Sequence, residues 1–112
     1  MNNEKLARWQ GLENVRPTRL SNGTIVIIYN SNEIVPDYLN DDAAAMSLLD
    51  TLVEKGYEPC LEYDACKWMF AIWKYEDSKE FIAVQRWADT IPQAITQAVL
   101  KLIESEAKDE NV

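Results

Sequence analysis

The chain has 112 residues, 11 basic and 19 acidic, for a formal net charge of −8, with no histidine, two cysteines, four tryptophans and five tyrosines. That is the length of one ordinary domain, spanning 1–112, and 47% apolar residues suffice for a core without disulfide or metal staples. The missing histidine excludes Ser–His and Cys–His nucleophile pairs and the commonest zinc ligand. The acidity argues against direct contact with phosphate backbones, so no nucleic acid is expected as a partner.

Glu4–Gly11 reads as a short helix with Leu6, Trp9 and Leu12 on one side and Gly11 as its stop. Arg16-Pro17-Thr18-Arg19 reads as a linker, because a proline drives its predecessor out of helical angles. Asn22-Gly23 signals a turn into Thr24–Tyr29, a β-branched strand apolar on both faces that asks for cover on both sides. Residues 33–64 hold nine carboxylates against Lys55 alone, a local charge of −8, whereas residues 1–20 net +2.

A second helix begins after Pro36-Asp37-Tyr38. Asn40 or Asp41 stands at its cap, and Asp41 and Asp42 meet the positive end of the helix dipole. Ala45, Leu48, Leu49, Leu52 and Val53 form the apolar stripe, and Gly56 supplies a left-handed stop.

Three strands in a meander follow. Tyr57–Tyr63 alternates, with Pro59 marking an edge position. Trp68–Tyr75 is apolar on both faces and is expected at the centre, and Phe81–Trp87 completes the meander. Thr90 and Gln93 have capping-box spacing at the start of the last helix, whose stripe runs from Ile91 to Ile103. Residues 104–112 lose that stripe and are expected to fray as an acidic tail.

The order α-β-α-β-β-β-α, with strands apolar on both faces, predicts an α+β domain. The expected form is a three-layer α/β/α sandwich whose four-stranded, largely antiparallel sheet carries helices on both faces. No stretch is apolar enough for a signal peptide or a membrane span, so a cytoplasmic setting with reduced thiols is expected, with no membrane partner.

Three segments carry a family resemblance. Pro36-Asp37-Tyr38 followed by Asn40–Ala45, Lys55-Gly56-Tyr57 before alternating strands, and Ala88–Ile95 together resemble the small phage-encoded "phage ABA sandwich" domain, over about residues 33–103. The resemblance implies phage or prophage origin, hence a bacterial host cytoplasm, and helices on both faces of a sheet. It implies no activity and no functional residues.

No catalytic residue, cofactor site or metal site is assigned. Asp37, Asp41 and Asp42 are the densest carboxylates, and oxygen-ligand cation sites need convergence that a helix start does not guarantee. The candidate interaction surface comprises Asp37, Tyr38, Asp41, Asp42 and Trp87, with Tyr38 also readable as a packing anchor; the other tryptophans read as core. The leading expectation is a non-enzymatic phage accessory protein that binds another protein, such as a host factor, through its acidic surface. The alternatives are a self-associating structural domain, giving a homo-oligomer, and a small-molecule or metal binder using carboxylates.

Overall fold

Helix α1 (Asn2–Gln10) turns Leu6 and Ala7 inward and ends at Gly11, whose φ of +98° suits glycine. This computed structural model describes residues 2–110, and side chains through residue 107. The chain then enters a small antiparallel sheet of strands β1 (Arg16–Arg19), β2 (Ile25–Tyr29) and β3 (Glu33–Ile34), with β2 in the middle.

The expected linker is therefore a strand. Pro17 lies opposite Ile27 on an edge, where its missing N–H breaks no ladder. Arg16 fastens that edge, its guanidinium donating to the carbonyl oxygens of Asn14, Asn30 and Ser31 at 2.6–3.0 Å.

Helix α2 (Asp42–Glu54) follows its expected grammar. The Asp41 side chain accepts from the Ala44 N–H at 3.1 Å, and Gly56 takes φ +91° beyond the end. Ala45, Leu48 and Leu52 are fully buried, while Val53 faces out and Thr51 replaces it on the inner side.

The meander is β4 (Tyr57–Asp64), β5 (Lys67–Glu76) and β6 (Lys79–Ala88), antiparallel, with β5 central and Pro59 on an edge strand as expected. The hairpin connections are Ala65-Cys66 and Asp77-Ser78, all four residues at φ between +51° and +65°. A bulge at Ala83 interrupts the β5–β6 register, so Ile72 faces Val84 and Trp73 faces Ile82.

Helix α3 (Ile91–Glu110) starts with the Gln93 N–H donating to Thr90 Oγ1 at 3.3 Å. Ala94, Ile95, Ala98 and Val99 are fully buried and Leu102 nearly so. The helix continues through 104–110, the span expected to fray. One reason is local: the Tyr57 hydroxyl donates to Glu106 Oε1 at 2.9 Å, tying the late turns to β4. Residues 111 and 112 lie outside the described residues.

Among the described residues the fold is thus α+β, with three helices and two three-stranded antiparallel sheets, in place of the expected single four-stranded sheet and α-β-α-β-β-β-α order. The core joins Leu6 of α1, Leu48 and Leu52 of α2, and Ile95 and Val99 of α3 to Phe70 and Ile72 of β5 and Val84 of β6. Helices α2 and α3 therefore cover one face of the second sheet. Met69 and Ala71, which alternate with Phe70 and Ile72, face the other side of the sheet and are buried there outside that cluster.

Candidate interaction surface

The leftover Pro36-Asp37-Tyr38 is a structural joint. Asp37 accepts from Asn40 Nδ2 at 3.1 Å and from Asn3 Nδ2 at 3.3 Å, linking the start of α1 to the lead-in of α2. Tyr38 is fully buried, so its placement on an interaction surface is corrected: its ring fills the core and cannot meet a partner. Its hydroxyl donates to Gln10 Oε1, Gln10 Nε2 donates to Ser47 Oγ at 2.9 Å, and Ser47 Oγ donates to the Ala44 carbonyl. Burial, with the Tyr29 phenol adding to it, pushes the Tyr38 pKa up to about 12.

Asp41 and Asp42 are exposed at the start of α2, Asp41 occupied as the cap. Asp37 also borders an apolar cleft of about 510 Å³ lined by Ile25, Ile27, Ile34, Val35 and Leu39. Beside it, Asn3 Oδ1 is buried without a hydrogen-bond partner. Trp87 is far from these residues in the fold, on the second sheet, and is 46% exposed. The five candidates therefore form no single surface.

The register shows what surrounds Trp87. On the sheet face turned away from the helices, Trp87 lies opposite Met69, Gln85 opposite Ala71, Ile82 opposite Trp73 and Glu80 opposite Tyr75. On the other side, Glu58, Cys60 and Glu62 lie opposite Trp73, Ala71 and Met69. Tyr75 is 60% exposed and Ile82 42%, large for apolar side chains on a sheet, while Trp73 is half-buried. The strands carry four carboxylates to this face, Glu58, Glu62, Asp64 and Glu80, against one cation, Lys67, which pairs with Asp89 at 3.2 Å.

Glu58, Tyr75 and Glu80 converge from three strands. A hydrogen bond to Glu58, then lost hydration and the Glu58 charge, hold the Glu80 carboxyl above its ordinary range, against a smaller lowering by Tyr75. The two carboxylate charges also raise the Tyr75 phenol. Cys60 is a free thiol whose Sγ lies 3.6 Å from Glu62 Oε1; partial burial and then Glu62 push it up, away from thiolate reactivity.

The tryptophans divide. Trp9 and Trp68 pack against the core, Trp9 with the Lys55 ammonium 5.2 Å from its ring centre and Trp68 beside Tyr63. Trp73 and Trp87 do neither and belong to the open face. Sequence reasoning missed Trp73, Ile82, Glu58 and Glu80. The available signal was the alternation of Glu58, Cys60 and Glu62 with Leu61 and Tyr63, which gives one side of the meander to water.

Among the described residues, no three of Cys, Asp and Glu converge to hold a cation, and no helix is long and apolar enough to cross a membrane. Comparisons with family models, curated proteins and solved structures each found no match.

Proposed function

We propose that this chain is a non-enzymatic protein-binding module, an accessory protein of phage or prophage origin that acts on a host protein. The observation that carries the binding role is the second sheet's face away from α2 and α3, where among the described residues Tyr75, Ile82 and Trp87 are exposed and Trp73 is half-buried around a floor of buried Met69 and Ala71. Sheets in isolated domains tend to bury such side chains, and an aromatic patch rimmed by polar groups marks an interaction site. The resemblance of Pro36–Ala45, Lys55–Tyr57 and Ala88–Ile95 to the phage ABA sandwich domain supports the origin. The chain's charge of −8 favours a basic partner.

The test is affinity capture from bacterial lysate at low and high salt, with bound proteins identified by mass spectrometry. Retention of one basic protein at low salt and its loss at high salt is the expected result. Recovery of the chain's own copies alone removes this reading.

One observation favours a second reading. The outer edge of β6 is unpaired among the described residues and free of proline over ten residues, so two copies could extend one sheet across it. A monomer mass by light scattering at high concentration excludes that arrangement.

A further inference from the structure

We propose that the open face of the second sheet docks a cationic segment of another protein, with Arg or Lys side chains laid across Trp73 and Trp87 and their charged heads against Glu58, Glu62 and Glu80. This rests on the protein-binding reading above and adds the surface and the chemistry of its occupant.

The arrangement follows from the pairing. Along β5, Trp73 and Met69 lie four residues apart on one face, about 13 Å at strand rise, and Trp87 stands beside Met69. The aromatic rings therefore mark two places on the face, with buried Ala71 and exposed Gln85 between them. On the β4 side, Glu58 stands next to Trp73 and Glu62 next to Met69, so each apolar station has a carboxylate at its border. A long basic side chain suits such a station, because its aliphatic stem lies on the ring while its head reaches the carboxylate.

Charge selects among occupants. A second copy applied through the same face brings an identical set of carboxylates against Glu58, Glu62 and Glu80, and the face's one cation, Lys67, is already paired with Asp89. A nucleic acid is repelled for the same reason. A cationic protein segment answers both the rings and the acids. The Glu58–Glu80 contact, where Glu58 holds the Glu80 carboxyl above its ordinary range, is a place where an incoming ammonium or guanidinium relieves the crowding of two acids.

The experiment uses the full chain with a fluorescein-labelled Arg-Leu repeat peptide and its Glu-Leu counterpart as probes. Fluorescence anisotropy is paired with ¹H–¹⁵N spectra that resolve the four indole N–H groups. The Arg-Leu peptide is expected to bind and the Glu-Leu peptide not to bind. The Trp73 and Trp87 indoles shift, while those of Trp9 and Trp68 stay. Glu58→Gln/Glu80→Gln weakens binding about tenfold, whereas Asp42→Asn/Asp50→Asn, an equal charge change on α2, weakens it less than about twofold.

Equal weakening by the two charge pairs, shifts confined to Trp9 and Trp68, or absent binding of the Arg-Leu peptide overturns the proposal. So does sedimentation showing a dimer that Trp87→Glu dissociates. A lysate protein held equally by the wild type and by Trp73→Ala/Trp87→Ala overturns the surface while leaving the protein-binding reading intact. Circular dichroism confirms that each variant is folded.

Discussion

Tyr38 illustrates how one buried hydroxyl links segments distant in sequence. Its ring is fully enclosed, and its hydroxyl joins a chain through Gln10 and Ser47 to the α2 backbone. Tyr38→Phe keeps the ring and leaves Gln10 Oε1 unpaired, so a loss of about 1–2 kcal/mol is expected in urea unfolding. The same group predicts an alkaline response. The phenol ionises near 10 once unfolded and near 12 in the fold, so the folded state holds the proton longer. Its contribution is complete below pH 10 and declines as pH rises towards 12, by about 1.4 kcal/mol per unit. Unfolding midpoints measured across that range should fall in the wild type and lose this component in Tyr38→Phe. Asp41 acts at the same scale: Asp41→Ala removes the α2 cap and is expected to cost about 1 kcal/mol, with Asp41→Asn recovering most of it.

Among the elements, α2, α3 and the meander were legible from spacing alone. Each has a long periodic signal, α2 and α3 have caps and α2 a glycine stop, and α3 buries Ala94, Ile95, Ala98 and Val99 as its stripe implies. Ile95→Ala is accordingly expected to cost about 2–4 kcal/mol by thermal or urea unfolding. Of the first sheet only its central strand β2 was legible, expected at Thr24–Tyr29 and found at Ile25–Tyr29. Four residues around Pro17 and the pair Glu33-Ile34 are too short to show alternation, and their strand character comes from pairing with β2 and from the Arg16 clamp. Arg16→Ala should release that sheet locally, raising amide exchange in Thr18 and Ile28 while leaving the meander protected. The open face was misread for a different reason. Met69 and Ala71 are buried as a second apolar stripe implies, but the stripe opens at Trp73, Tyr75, Ile82 and Trp87, and periodicity cannot tell a face covered by the same chain from one left for a partner. Of the interaction candidates, Trp87 alone lies on that face; Asp37, Tyr38, Asp41 and Asp42 belong to the architecture of the helix start.

At the level of the whole molecule, both helices packed on the second sheet lie on one side, and the opposite side combines apolar rings with most of the acid of β4. The acidic block between Glu33 and Asp64 is thus not one surface. Asp41 and Asp42 stand at a helix start, and Glu58, Glu62 and Asp64 stand on the meander. Net charge alone therefore does not locate the binding face; the strand register does. Salt should weaken a complex formed there while changing the stability of the free chain little, because the described ion pairs are few and all but Glu4 of their side chains are exposed.

The two hairpin connections carry a consequence for how the chain reaches its fold. Ala65, Cys66 and Ser78 sit at left-handed φ with side chains that do not favour it, Asp77 alone being suited, where Asn-Gly is the common choice. The meander is consequently closed by turns that do little to nucleate it, and the expectation is that its assembly follows α2 and α3, which supply the surface it packs on. Installing Asn-Gly at both connections would let the three strands form on their own timescale, so the order of events, helices first or sheet first, becomes something a four-residue exchange can invert.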